Sequence, residues 1–198
     1  MGVPDPTAPQ TIPSAPALAT PTVTPGHDAT AVAAKDMPFS AGGLLAQGVP
    51  VGISDGLRGA PGWKMVKENM AGENRYLKAD GCMAATRISL GQWPLVAGDD
   101  KDSTEALFGY LDSSILPGYL KTATLRWGGD ADKSGPSVEV LVLERPVTAG
   151  ARAASIMARL FSKAGSSVYI SVSCPDTSAL AAARADVAQM LILVPPSN

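Results

Sequence analysis

The stretch Arg75-Tyr76-Leu77-Lys78-Ala79-Asp80-Gly81-Cys82-Met83-Ala84-Ala85-Thr86-Arg87-Ile88-Ser89-Leu90 decides the fold. Asp80-Gly81 parts two alternating runs, and an Asp-Gly pair in that setting is the strongest short-range signal of a β-hairpin. Side chains alternate across a strand. Cys82, Ala84, Thr86, Ile88 and Leu90 therefore share one face, and Met83, Ala85, Arg87 and Ser89 share the other. Upstream, Trp63 to Glu68 reads as a strand leading into the turn Ala71-Gly72-Glu73-Asn74, so three strands open the domain.

Downstream, the acidic stretch Asp102-Ser103-Thr104-Glu105 has the form of a helix start, with Asp102 as N-cap and Glu105 reaching back. Leu107, Tyr110, Leu111 and Ile115 recur at helical spacing and are expected to face the core, with Pro117-Gly118 ending the helix. Thr122 to Trp127 and Ser137 to Glu144 form a second hairpin; the latter is apolar on both faces, as in a covered central strand. Thr148 is expected to cap another helix, with Ala153, Ile156, Met157, Leu160 and Phe161 inward and Gly165 at its end. Val168, Ile170 and Val172 line one face of a further strand. Asp176 or Thr177 then caps a last helix bearing Leu180, Ala183, Val187 and Leu191. The order is three strands, helix, two strands, helix, strand, helix. It predicts an α+β domain with a mostly antiparallel sheet sandwiched by helices.

Residues 1–36 have a different texture. Pro4, Pro6, Pro9, Pro13, Pro16, Pro21 and Pro25 stand among Ala, Thr and Val with few charges. Proline fixes φ and removes a backbone donor, so a Pro/Ala/Thr-rich disordered tether is expected over 1–36, with a single globular domain over 37–198. The lone His27 falls in the tether, where it is expected to be solvated and without a role. Met1-Gly2-Val3-Pro4 lacks the basic start and apolar core of a signal peptide, and Pro6 stands where a myristoylation signal wants Ser or Thr. Met1 reads as an artificial start, with any leader or membrane anchor upstream of it.

The chain of 198 residues has a formal charge of −2 and a pI near 5.3, with scattered Lys and Arg, which argues against nucleic acid as a partner. No run approaches the ~18–20 apolar residues that span a bilayer. Cys82 and Cys174 are too few for a disulfide scaffold and wrongly spaced for zinc. One opens a strand and the other closes one, so adjacent strands would bring them together, and a disulfide is expected. Tether and disulfide together point to an extracytoplasmic protein, in a periplasm-like space or cell wall.

Several motifs tempt. Gly52-Ile53-Ser54-Asp55-Gly56 matches the G-x-S-x-G nucleophile elbow, but Pro50 precedes it, Pro61 follows, and no histidine lies downstream. A glycine turn explains it better. Asp130-Ala131-Asp132-Lys133-Ser134-Gly135 begins like a calcium loop, yet the twelfth position, which wants a bidentate Glu, is Leu141. A solvated hairpin loop is expected there. Asp99, Asp100 and Asp102 cluster at a helix start, which capping and the helix dipole explain. No phosphate loop or dinucleotide fingerprint is present, and no metal, cofactor or catalytic residue is assigned. Trp93-Pro94 lies in an irregular stretch between strand and helix and is the expected partner or ligand contact.

The layout of hairpin strands, a helix after an acidic stretch, a second hairpin, and a strand ending in Ser173-Cys174-Pro175 before a final helix resembles the Mog1/PsbP-like domain. Actinobacterial envelope proteins carry that domain behind Pro/Thr/Ala-rich tethers, among them LpqN-type lipoproteins and the trehalose monomycolate transport factor A. The resemblance spans about residues 60–195 and implies an α/β/α sandwich. It also implies a non-enzymatic accessory role in the cell envelope, assisting mycolate-glycolipid transport. The partner would be a membrane transporter or envelope protein complex, or the glycolipid itself. The lipid-attachment cysteine or transmembrane anchor of that family is not among these residues. Two other functions are weighed against it. One is a secreted glycan hydrolase using two carboxylates among Asp99, Asp100, Asp102, Glu105, Asp130 and Asp132, which would have to face one cleft. The other is an accessory subunit of a membrane electron-transfer complex.

Overall fold

A computed structural model describes residues 28–129, 135–148 and 151–196. Within it the Asp80-Gly81 hairpin forms as read, with Gly81 at φ +86 in the left-handed region that glycine enters at no steric cost. The strands β1 (Gly52–Ile53), β2 (Trp63–Met70), β3 (Glu73–Lys78) and β4 (Met83–Ser89) precede a long helix. After it come β5 (Lys121–Trp127), β6 (Ser137–Arg145), β7 (Ala153–Phe161), β8 (Ser166–Cys174) and β9 (Ile192–Val194). Among the described residues these make one sheet in the order β1-β9-β5-β6-β7-β8-β4-β3-β2. Every strand pairing is antiparallel except β5 with β9. The helices are α1 (Ala29–Ala33), α2 (Asp100–Leu111) and α3 (Thr177–Met190).

Alternation along the central strands supplies a core on each face. Val138, Val140 and Val142 of β6 and Val168, Ile170 and Val172 of β8 pack with Leu180, Ala183 and Val187 of α3. On the opposite face Leu141, Leu143, Ala158 and Leu160 pack with Leu107 and Phe108 of α2. The fold is thus the expected mostly antiparallel α+β sheet with helices on both faces, but the cover is incomplete. α2 lies on β7 and β6, leaving the β4-β3-β2 wing bare on that side.

Five local expectations are corrected. The segment Ala153–Phe161 is a strand, not a helix. It forms a hairpin with β8, pairing Ala153 with Cys174 and Phe161 with Ser166. Both its faces are apolar because the sheet is covered there on both sides, and a fully buried strand cannot be told from a buried helix by periodicity. Gly165, read as a helix end, is instead the left-handed residue of the hairpin turn (φ +63), its N–H donating to the Phe161 carbonyl. The helix α2 starts a turn early: Asp99 caps it, accepting from the N–H groups of Lys101 (2.8 Å) and Asp102 (3.0 Å). Glu105 bonds Lys101 rather than reaching back to the cap. With that phase Leu107 and Phe108 point inward, Tyr110 and Leu111 are exposed, and the buried Ile115 lies beyond the helix end.

Residues 28–36, drawn as part of the tether, belong to the folded body where described. Asp28 caps α1, Val32 enters the core, and Trp127 Nε1 donates to the Val32 carbonyl at 3.0 Å. The rest of the tether, with His27, lies outside the described residues, as do Asp130 and Asp132 of the calcium-like loop.

Candidate ligand-binding surface

The bare wing is built by register. Leu77 pairs with Met83 and Met83 with Ser173. Arg75 pairs with Ala85 and Ala85 with Ser171. Glu73 pairs with Arg87 and Arg87 with Tyr169. These three cross-strand rows project to the side opposite Tyr76, Ala84 and Val172, which are buried in the α3-side core. Large apolar side chains stand open on the wing: Val66 is 52% exposed, Leu77 43% and Met83 47%. They line a concavity of about 470 Å³ with Arg75, Tyr169, Ser171 and Ser173. Tyr169 closes it on the α2 side, packed against the second core, and burial pushes its hydroxyl above the ordinary phenol range. Glu73 and Arg75 form an ion pair at one edge. At another edge Arg152 donates from Nε to Ser173 Oγ and from Nη2 to the Ser173 carbonyl, both at 3.0 Å, and fixes that end of β8. The result is an apolar floor with a polar rim, the composition of a site for an amphiphile.

The disulfide stands at one end of the same strands. Because Met83 pairs with Ser173, the next positions outward are Cys82 and Cys174, and the two are bonded and fully buried. The bridge locks the outer wing to the central strand β8.

The acidic residues of the α2 start do not gather in a cleft. Asp99 caps the helix and Glu105 pairs with Lys101. Asp100 is fully buried opposite Arg159, which is also fully buried. Arg159 donates from Nε (3.0 Å) and Nη2 (2.7 Å) to Asp100 Oδ2, and Asp100 Oδ1 accepts from Ser162 N–H (2.8 Å) and Oγ (2.6 Å). The remaining guanidinium donors reach the carbonyls of Met37 (2.6 Å), Glu139 (3.1 Å) and Pro38 (3.0 Å). Phe39 and Phe161 lie on the guanidinium, each ring centre 4.8 Å from it. Burial lowers the Arg159 pKa, while Asp100 beside it opposes that shift. An arginine starts high enough to remain charged. The pair is a clasp joining the 37–39 segment, α2 and β7. Nothing in the spacing of Asp100 and Arg159, 59 positions apart, announces it.

Trp93 heads a short 3₁₀ turn and is 47% exposed. Its covered part lies on the β7–β8 turn: a Cβ at Gly165 would fall 2.2 Å from its Cζ2. Gln92 N–H donates to the Gly165 carbonyl at 2.9 Å. The serine motif is a clasp as well. Ser54 Oγ accepts from Ile192 N–H (2.9 Å), Ser54 N–H donates to the Ile192 carbonyl, and Asp55 accepts from the Tyr76 hydroxyl (2.6 Å). A Cβ at Gly56 would meet the Met190 carbonyl oxygen at 1.9 Å, so that glycine lets the turn seat against the end of α3. Among the described residues no group of three or more His, Cys, Asp and Glu could hold a metal ion, and no helix is long and apolar enough to cross a membrane.

No protein-family model matches the chain, and no curated protein does. Among solved structures it is similar to a mutant form of the protein Mog1, with 16% identity over 66% of this chain and 77% of that chain. The TM-score of that likeness is 0.34, too low to carry an argument about fold or function.

Proposed function

We propose that the chain is a non-enzymatic accessory module of a cell envelope, a Mog1/PsbP-like domain that binds an amphiphilic glycolipid on its bare sheet wing and hands it to a membrane transporter complex. The observation that carries the reading is the wing itself, where Val66, Leu77 and Met83 stand exposed over a concavity of about 470 Å³. Exposing such side chains on a sheet face costs stability and solubility unless something covers them. The polar rim of Arg75, Ser171 and Ser173 suits the headgroup of a molecule whose acyl part lies on the floor. The Cys82–Cys174 disulfide supports an oxidising, extracytoplasmic setting. The resemblance to LpqN-type lipoproteins and the trehalose monomycolate transport factor A supplies the lipid class proposed, a mycolate glycolipid.

The test is native mass spectrometry with lipid analysis of the protein isolated from an actinobacterial envelope, alongside its Leu77→Glu/Met83→Glu variant. Both positions are exposed, and the circular dichroism of the variant must match the parent before retention is compared. A glycolipid retained by the parent and lost by the variant is expected. A lipid-free parent, or equal retention by both, overturns the reading.

A further inference from the structure

On the opposite face from the bare wing, a groove of about 350 Å³ runs between α3 and the ends of β5 and β6. Its α3 wall is Leu180, Ala181 and Arg184; Lys121, Glu144 and Ala153 form its floor. Lys121 and Glu144 share the α3 face of the sheet with Val142, which Lys121 opposes in register. Glu144 Oε2 accepts from Lys121 Nζ at 3.0 Å, and Oε1 accepts from Arg184 Nη1. Tyr119 stands at the mouth, 60% exposed, and lines both this groove and a neighbouring one of about 500 Å³.

A second observation lies beneath the floor. Ser155 opposes Glu144 directly in the β6–β7 register, and so shares its face. It is fully buried, and its Oγ has no hydrogen-bond partner, the only such side-chain atom among the described residues. Buried polar atoms are satisfied with few exceptions, so this orphan marks a weak point in the packing under the groove, whose own lining does not include it.

We propose that this groove binds an uncharged, hydroxyl-rich ligand, a glycan, with Tyr119 as stacking platform and Lys121, Glu144 and Arg184 as its hydrogen-bonding groups. A sugar ring offers an apolar face to Tyr119 and Leu180 and several hydroxyls that both donate and accept. The floor matches that mixture. Lys121 and Arg184 keep donors beyond those spent on Glu144, and each Glu144 oxygen keeps a lone pair. An anion fits worse, because the Glu144 carboxylate already fills the point between the two cations. Hydrogen bonding from Lys121 and the charge of Arg184 hold that carboxylate below its ordinary pKa. The inference does not rest on the glycolipid reading, since the two surfaces lie on opposite faces of the sheet.

The test is a ¹H–¹⁵N NMR titration with maltotriose, cellotriose, chitotriose and inorganic phosphate, each to about 10 mM. At least one trisaccharide is expected to shift the amides of 119–121, 144–145 and 180–184, while phosphate leaves them in place. Tyr119→Ala, an exposed change, is expected to weaken that trisaccharide roughly three- to tenfold. Leu77→Glu on the other face is expected to leave it unchanged. Shifts from phosphate alone, no shift from any trisaccharide, or shifts indifferent to Tyr119→Ala overturn the proposal.

Discussion

Replacing Arg159 by Met tests the buried clasp. The guanidinium is fully buried and serves two carboxylate contacts and three backbone carbonyls, those of Met37, Pro38 and Glu139. Methionine fills much of the volume between Phe39 and Phe161 but leaves Asp100 buried, its charge answered only by Ser162. Breaking a buried ion pair on one side costs about 3–5 kcal/mol, because the surviving charge stays uncompensated. For a domain of this size each kcal/mol moves Tm by about 2–4 °C, so a drop of about 6–20 °C is expected. Urea and thermal denaturation followed by circular dichroism would measure it. Asp100→Leu should cost a similar amount, stranding the cation instead. The double variant should lose less than the sum of the two by at least about 1 kcal/mol, since neither charge is then left alone. Additive losses, or a single variant within about 1 kcal/mol of the parent, would refute the assignment of the pair as a mutually dependent clasp.

Other perturbations follow from particular contacts. Replacing both cysteines by Ser opens a crosslink of sequence separation 92; the chain-entropy account sets the loss at about 4–5 kcal/mol, and denaturation curves should show at least about 2. Gly165→Ala places a Cβ against the Trp93 ring at a positive φ, so a loss of about 1–2 kcal/mol and a red-shifted tryptophan emission are expected. Ser155→Ala removes a buried hydroxyl with no partner, so Tm should hold or rise, against the loss a satisfied serine would show. Glu144 is held below its ordinary pKa by hydrogen bonding from Lys121 and by Arg184. Its contribution is therefore complete above the unfolded glutamate value of about 4.3 and is lost as pH falls through the lower folded one. An NMR titration should show Lys121→Ala raising the Glu144 pKa.

The sequence exposed what is locally determined. Asp80-Gly81 names its own turn, and the alternation of Cys82 to Leu90 names both faces of β4. Once that strand was set beside the one ending at Cys174, the disulfide followed. Segment Ala153–Phe161 was illegible for the opposite reason. Its two-sided burial comes from α2 on one face and α3 on the other, so its composition reports tertiary cover rather than local period. Gly165 deepened the ambiguity, because a helix end and a hairpin turn both want a left-handed glycine. The start of α2 was ambiguous because Asp99 and Asp102 are both residue types that cap a helix, and the burial of Asp100 against Arg159 is a distant pairing that no spacing rule reveals. The wing was half legible: Met83, Ala85 and Arg87 could be assigned to a common face, but that the face is uncovered depends on α2 lying over β6 and β7. Ser155 carries no sequence signal at all, since its distinction is the lack of a partner.

The proposed function requires an acyl chain on the wing formed by Val66, Leu77 and Met83. The most direct measurement is ¹H–¹⁵N NMR of the folded protein with a nitroxide-labelled stearate, whose unpaired electron broadens resonances near the bound chain. Amides of residues 66, 75–77, 83–85 and 171–173 are expected to broaden first, and Leu77→Glu/Met83→Glu is expected to abolish the effect. Uniform broadening, or broadening centred on α3 with the wing untouched, would contradict it.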